Sequence, residues 1–423
     1  MRYFYLLLFI YIVPLSSIQA QYLLSPEELS QTQTYTSLDE AIANPDFVYV
    51  LDLRSQRLTE LKDIHKLTKL QILYLDGNEL TTLPEGIGKC LNLQILQANK
   101  NQLESLPKSF SKLKNLEEVY LQYNNIQALP RGMERMVNLK LLDIRDNKFA
   151  ALPEVLTTLP ELQILEVAYN SIQNLPENIG ALSTMWKLNF SGNPIKNLPS
   201  SFQMLSNLEE LYMGHTGLQV TQCIPVFINL NKLFTLELGG LNLERLPADF
   251  AQISSLKKLD LSLAQMSELP NAITQHSSLE ELILDKTSIT SLPDNIHHMA
   301  GLKRLYIKEG QLTTLPESFG QLPNLELLKI EYNQLQSLPQ SIGNLKHLQG
   351  LHLQNNQLTT LPESIGNLNN LSLLEIPSNK VSSIPESIHK LANLTGLYLF
   401  NNPISTSHIA EIRAWLPNTD VQF

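Results

Sequence analysis

The feature that most constrains this chain is an apolar pattern that recurs about every 23 residues. Pairs of the form Leu-x-Leu occur in sixteen units, whose first apolar residues are Leu51, Leu73, Leu96, Val119, Leu142, Leu165, Leu188, Leu211, Leu236, Leu259, Leu282, Leu305, Leu328, Leu351, Leu374 and Leu397. Alternate side chains of a strand share a face, so both apolar residues of a pair point inward. One unit cannot bury this edge alone, but stacked units can. We therefore predict an α/β solenoid, a horseshoe with about 16 parallel short strands on its concave face.

A second pattern keeps the same period. A Leu-Pro pair, or Ile-Pro in the last case, follows most strands, and an apolar residue comes three positions after the proline, as in Pro84 and Ile87. Proline fixes φ and lacks an amide donor, so a long regular helix is disfavoured there. We expect this segment to return along the outer side of the horseshoe.

An asparagine follows the strand in most units and is expected to point inward. Its amide can bond backbone groups of adjacent turns, which satisfies a buried polar side chain. The two predicted ladders contain Asn78, Asn101, Asn124, Asn147, Asn170 and Asn193, then Asn333, Asn356, Asn379 and Asn402. Five intervening units carry Thr216, Leu241, Ala264, Thr287 and Gly310 instead. This middle region begins where the step lengthens to 25 residues, and it is either sequence drift or a remodelled surface.

The consensus Leu-x-x-Leu-x-Leu-x-x-Asn-x-Leu-x-x-Leu-Pro-x-x-Ile-Gly-x-Leu resembles the 23-residue leucine-rich repeats of Ras-suppressor and Scribble-type proteins. The resemblance covers residues 51–404. It implies a repeat array that binds a partner, without naming that partner. Those relatives are intracellular scaffolds, whereas this chain begins with an apolar leader. The combination is similar to secreted leucine-rich-repeat proteins of Gram-negative bacteria.

Residues 1–20 have the pattern of a signal peptide. Arg2 precedes an apolar run of 11 residues, Pro14 breaks that run, and Ala20 offers a small residue for cleavage. The run is short for a membrane span, although an uncleaved anchor is the alternative. We expect export to the periplasm, the cell surface or the medium, and no transmembrane span in the mature chain.

Flanking segments are expected to cap the array. Residues 21–50 form an N-terminal linker and helical cap, in which residues 21–36 are loosely ordered and Ser37 begins a capping box with Glu40. Residues 405–423 form a C-terminal helical cap, with a helix from Ser407 to Trp415 and a final strand. A solenoid needs such caps to cover its terminal cores.

Composition excludes several classes of function. The net charge is −10, and no linear block of basic residues is present to neutralise phosphates, so we predict no nucleic-acid partner. Cys90 and Cys223 lie about six units apart, too far for a disulfide. The nine histidines are scattered, and no catalytic motif is recognised. We predict that the chain is not an enzyme and needs neither a metal nor a cofactor.

The strand positions that flank the inward residues point into the concave space. All eight tyrosines after residue 50 fall in these columns. Tyrosine favours exposed strands, which alone would place it there, but it is also frequent in binding hot spots. Because five of the eight lie in the first half, the predicted binding residues are Tyr74, Tyr120, Tyr123, Asp143, Arg145, Asp146, Tyr169 and Tyr212.

The concave columns carry both signs of charge along the array, which suits a protein surface. We therefore expect a secreted or cell-envelope scaffold that binds a protein ligand. A polysaccharide ligand is the alternative, because single aromatic rings can stack on sugars.

Overall fold

The computed structural model describes residues 23–243 and 246–423, so the predicted signal peptide lies outside the described residues. The sixteen predicted repeat strands are all present and lie between two added strands, one at each end. The strands are β1 Thr34–Tyr35, β2 Val50–Asp52, β3 Ile72–Tyr74, β4 Ile95–Gln97, β5 Glu118–Tyr120, β6 Leu141–Asp143, β7 Ile164–Glu166, β8 Lys187–Asn189, β9 Glu210–Tyr212, β10 Thr235–Glu237, β11 Lys258–Asp260, β12 Glu281–Ile283, β13 Arg304–Tyr306, β14 Leu327–Lys329, β15 Gly350–His352, β16 Leu373–Glu375, β17 Gly396–Tyr398 and β18 Asp420–Gln422.

Every strand pairs in parallel with the next one along the chain. The first apolar residues of neighbouring units are register partners. Leu51 pairs with Leu73, and Leu374 pairs with Leu397. One continuous hydrophobic core runs from Tyr35 to Leu416. Both cysteines belong to it and are free, as expected. The predicted solenoid is therefore confirmed.

Short 3₁₀ helices form most of the return stretches, and a proline precedes most of them. Their bounds are Pro45–Phe47, Ile64–Lys66, Glu85–Lys89, Lys108–Lys112, Met133–Arg135, Glu154–Thr158, Ile179–Ala181, Ser200–Met204, Ala248–Gln252, Asp294–His298, Glu317–Gln321, Gln340–Asn344, Glu363–Asn367 and Glu386–Lys390. The α-helices are α1 Pro26–Ser30, α2 Leu38–Ala43, α3 Val220–Phe227, α4 Asn271–Thr274 and α5 Thr406–Trp415. The unit of 25 residues thus contains α3. Its two extra residues allow this α-helix to replace the 3₁₀ helix of the regular units.

The N-terminal cap is more ordered than the sequence indicated. The expectation of a loose segment over residues 21–36 is wrong for its described part, which contains α1 and β1. Ser25 and Glu28 form a complete capping box at the start of α1. At α2, Ser37 accepts the amide of Glu40, which is one of the two hydrogen bonds of the predicted capping box. β1 and α2 therefore close this end of the core, to which they contribute Tyr35 and Ala41.

At the C-terminal end, a helix and a strand follow the last repeat. Helix α5 begins at Thr406, and β18 pairs with β17. Within the described ranges, no helix is long and apolar enough to cross a bilayer.

The asparagine ladders have the predicted inward geometry. Asn101 Nδ2 donates to the carbonyl groups of Leu75, at 2.9 Å, and Ala98, at 3.3 Å, and its Oδ1 accepts the amide of Leu80. In the middle region, Thr287 Oγ1 donates only to Leu284 O. The amide of Ala264 instead bonds to Leu261 O within its own turn. The middle region therefore keeps the turn but loses the bridge between units.

Candidate functional site

The predicted tyrosines fall into two rows with different geometry. Tyr74, Tyr120 and Tyr212 are the last residues of their strands and are half-buried on the concave face. The Tyr120 hydroxyl donates to Glu118 Oε2 at 2.9 Å, and burial followed by this bond raises the Tyr120 pKa. Tyr212 donates in the same way to the acid two residues before it, at 3.0 Å. These tyrosines are held rigid and contribute their ring faces to the surface.

The second row lies in the turn after the strand. Tyr123 and Tyr169 adopt positive φ angles of 57° and 55°, and they are 50% and 55% exposed. A Cβ on Gly192, at the same position of the next unit, would come within 2.5 Å of the Tyr169 ring, so the ring lies flat over that glycine. Asp146 belongs to the same row, with a φ of 53°. This row forms the edge of the concave face and presents its aromatic rings to solvent.

The Asp143 side chain is buried on the concave face, beneath Arg145. Asp143 is 2% exposed, and its two oxygens accept Arg145 Nε at 3.0 Å and Nη2 at 2.7 Å. Nη2 also donates to Gln122 Oε1 at 2.9 Å. The bond to Asp143 raises the pKa of the guanidinium, which stays charged. Asp143 therefore positions Arg145, and only Arg145 is exposed enough to meet a ligand.

A chain of charges connects Arg145 to Tyr212. Arg145 Nε lies 3.8 Å from Glu166 Oε2, and Lys187 Nζ lies 3.1 Å from Glu166 Oε1. The same ammonium reaches Glu210 at 3.6 Å and lies 5.2 Å from the Tyr212 ring centre. Lys187 was not among the predicted site residues, although it lies one residue before an inward leucine. The network makes this part of the surface polar but internally neutralised.

A groove of about 680 Å³ lies beside Tyr74, between α1 and the first repeat strands. Its lining combines apolar residues of α1 and of β2 to β4 with acids at one end: Pro26, Leu29, Ser30, Thr32, Thr34, Val50, Ile72, Tyr74, Gln94, Ile95, Glu117 and Glu118. Gln71 holds the preceding segment in place, because its side chain exchanges two hydrogen bonds with the backbone of Leu24. The groove was not predicted, because residues 21–36 were expected to be loosely ordered. The spacing of Ser25 and Glu28, which is that of a capping box, could have indicated the helix α1.

The predicted residues thus line six successive steps of one sheet, from Tyr74 to Tyr212. At about 4.8 Å for each strand, this is a surface roughly 30 Å long. It offers an apolar groove, exposed aromatic rings and one oriented guanidinium. These features suit the noncovalent binding of a partner. Burial raises the pKa of each cysteine thiol to about 12, so neither is a ready nucleophile. No group of metal-ligating side chains is found among the described residues.

Comparison with known proteins places the repeats in a family. Residues 32–169 and 336–414 match a family model described as leucine-rich repeat region, and residues 277–335 match a leucine rich repeat model. No functionally curated protein is significantly similar in sequence. Among solved structures, a leucine-rich-repeat protein of Leptospira interrogans is 34% identical, with a TM-score of 0.81. That alignment covers 93% of this chain and 100% of the other.

Two further structures share the fold at lower identity. An internalin of Listeria monocytogenes is 21% identical, with a TM-score of 0.60, over 74% of this chain and 87% of its own. The ectodomain of the Arabidopsis thaliana receptor kinase GASSHO1/SCHENGEN3, solved in complex with CASPARIAN STRIP INTEGRITY FACTOR 2, is 25% identical, with a TM-score of 0.55. The alignment covers 88% of this chain and 55% of that ectodomain. With its strands, its asparagine ladders and these matches taken together, the chain belongs to the leucine-rich-repeat family.

Proposed function

We propose that this protein is an exported scaffold that binds another protein through the first half of its concave face. The observation that carries the proposal is the exposure of Tyr123 and Tyr169 on the same half of the array as a largely apolar groove. Exposed aromatic rings on a rigid backbone give contact area at low entropic cost, as binding hot spots do. The array supplies that rigidity, since β5 and β7, which precede these tyrosines, are each paired with a strand on both sides.

The surface suggests a division of roles. The groove beside Tyr74 would accept an apolar side chain of the partner, and the exposed rings would cover its flank. Arg145 would bind a carboxylate or carbonyl, since its guanidinium is already oriented by Asp143. Glu118 at the end of the groove would favour a basic group there.

The comparisons support the class of function rather than the partner. The Arabidopsis structure is a receptor-kinase ectodomain in complex with CASPARIAN STRIP INTEGRITY FACTOR 2, and an internalin shares the fold. Export is supported by the signal-peptide pattern of residues 1–20 and by the likeness to bacterial proteins. Together these favour a protein ligand met outside the cytoplasm.

The test begins with affinity capture on the mature protein from the native envelope, followed by mass spectrometry. Binding of the captured polypeptide is then measured for the double variant Tyr123→Ala/Tyr169→Ala. We expect affinity to fall at least about tenfold, because hot-spot truncations typically cost more than 1 kcal/mol each. Tyr332→Ala is the matched control, since Tyr332 occupies the same turn position at a φ of 55° and the same 55% exposure.

The outcomes separate the candidates. Equal affinity for the double variant and the control would remove the proposed site. Capture of purified polysaccharide in place of a polypeptide would favour the glycan alternative. Circular dichroism of the variants confirms that the fold is intact before affinities are compared.

A further inference from the structure

Four successive units place a cation at the same point of their return stretch. Lys66, Lys89, Lys112 and Arg135 are each the last residue of a 3₁₀ helix, and all four are exposed. Their backbone setting is therefore the same in each unit, and their side chains lie in one column on the surface. The four units that follow carry Thr158, Ala181, Met204 and Asn229 in the corresponding stretch, so the continuous column of charge ends after Arg135. In the described units beyond them, a lysine or arginine recurs at this position only as Lys390.

A second column, two residues further on, adds exposed apolar groups. Leu91 is 41% exposed and Val137 is 45% exposed, with Lys114 between them in the stack. A groove of about 590 Å³ runs among these side chains, and its lining is Leu91, Ser111, Lys112, Lys114, Asn115 and Arg135. We name the two columns together the cationic patch, which comprises Lys66, Lys89, Leu91, Lys112, Lys114, Arg135 and Val137.

Most of the charge in the cationic patch is unpaired. Several basic side chains elsewhere pair with an acid one unit away, as Lys140 does with Glu117 at 2.7 Å and Lys258 with Glu281 at 2.7 Å. Lys66 has a local partner in Asp63. Among the described residues, none of the other four cations of the patch has an acid within 4 Å.

Apart from Asp63, the acids nearest in sequence form no ion pair with the cations of the patch among the described residues. Glu85 uses its two oxygens to accept the amides of Lys108 and Ser109, at 3.1 and 3.0 Å. Glu134 is a single exposed acid beside Arg135. Like charges stacked one unit apart repel each other, so the arrangement costs stability unless an anion covers it.

We propose that the cationic patch binds the anionic surface of a phospholipid membrane. Clustered lysine and arginine side chains attract acidic headgroups over a range of about 8 Å at physiological salt. The exposed Leu91 and Val137 favour a lipid surface over a soluble polyanion, because apolar side chains gain free energy by entering the interfacial region.

This contact would also fix how the protein is presented. The cationic patch lies on the return stretches, away from the strands that form the concave face. A molecule held by this patch would keep its concave face free for a second ligand. The inference stands on its own residues and does not depend on the function proposed above.

The test is co-sedimentation of the mature protein with vesicles. We expect binding to phosphatidylcholine vesicles that contain phosphatidylglycerol, loss of binding at high salt, and no binding to pure phosphatidylcholine. The variant Lys112→Gln/Lys114→Gln/Arg135→Gln should bind the acidic vesicles at least about tenfold more weakly. The matched control is Lys257→Gln/Lys286→Gln/Lys303→Gln, which changes the net charge equally but removes paired cations.

A second variant separates a membrane from a soluble polyanion. Leu91→Ser/Val137→Ser should weaken vesicle binding severalfold while leaving binding to inorganic polyphosphate unchanged. Equal vesicle binding by the triple variant and its control would overturn the proposal. Binding to polyphosphate without binding to vesicles would overturn it as well.

Discussion

The carboxylate of Glu237 occupies the space that a side chain on Gly214 would need. A Cβ built on Gly214 would lie 2.2 Å from Glu237 Oε1 and 2.4 Å from the carbonyl oxygen of Gly239. The carboxylate accepts the amides of Gly214, at 2.9 Å, and Gly239, at 2.8 Å, and the hydroxyl of Ser191, at 3.1 Å. One acid therefore ties three units together where the regular asparagine ladder stops.

Gly214→Ala should destabilise the fold by about 1–3 kcal/mol, the usual cost of inserting a methyl group into a filled site. The backbone oxygen of Gly239 cannot move away without breaking the hydrogen bond that it accepts from the His215 amide, and the carboxylate would lose its amide donors. Urea denaturation of the two proteins measures the difference. Gly396→Ala is the control, because its new Cβ would crowd only the flexible end of Leu373, at 2.9 Å, and would meet Tyr398 at an ordinary contact distance of 3.5 Å. An equal loss there would contradict the packing argument.

Asn147→Ala should cost about 3 kcal/mol, because buried polar groups left without partners cost about 1–3 kcal/mol each. Asn147 Nδ2 donates to the carbonyls of Leu121 and Ile144, and its Oδ1 accepts the amide of Ile126. Thr287→Ala removes one hydrogen bond at the equivalent position, and we expect about 1 kcal/mol there. Equal losses of unfolding free energy for the two variants would show that the ladder bonds add nothing.

Hydrogen exchange should be faster in the units of residues 211–310 than in the flanking ladders. The amides of Ile126 and Leu335 are each bonded to a ladder asparagine, at 2.9 and 3.0 Å. Within the described residues, the corresponding amides of Met266 and Ile289 donate no such hydrogen bond. Mass spectrometry of deuterium uptake compares these pairs directly. Equal protection would mean that packing alone closes the middle region.

The period of the sequence was sufficient to predict the architecture. A repeat of inward leucines determines the strands, their register and the direction in which units stack, because no other arrangement buries every unit. The proline three residues before Ile87 likewise predicted the short return stretch. The period did not predict that the segment around α1 is ordered. A cap lies outside the repeat, so its sequence cannot be compared with equivalent positions in other units.

The candidate site was predicted only in part. Positions that are equivalent in successive units can be identified from the sequence, so the two rows of tyrosines were predicted. The burial of Asp143 under Arg145 depends on side-chain conformation and was not readable from the columns. The cationic patch was missed because its members lie 23 residues apart, so a search for a linear basic block passes over them.

His276 occupies a core position that other units fill with an apolar residue, such as Leu113. It is 2% exposed, and its ring packs edge-on against Phe250 at 5.4 Å between centres. Its Nε2 has no hydrogen-bond partner in the described part of the chain. Burial lowers the His276 pKa below the ordinary value of 6.5, although a bond to the backbone of Phe250 opposes the shift.

His276→Leu should raise the free energy of unfolding by about 1–3 kcal/mol at neutral pH, because it removes an unpaired buried nitrogen. The gain should grow as the pH falls below 6.5. There the unfolded wild type binds a proton that the folded state rejects, so wild-type stability is lost while the leucine variant is spared. Urea denaturation at several pH values measures both effects, and His347→Leu at an exposed position is the control. If the two variants depended on pH alike, His276 would not be the group responsible.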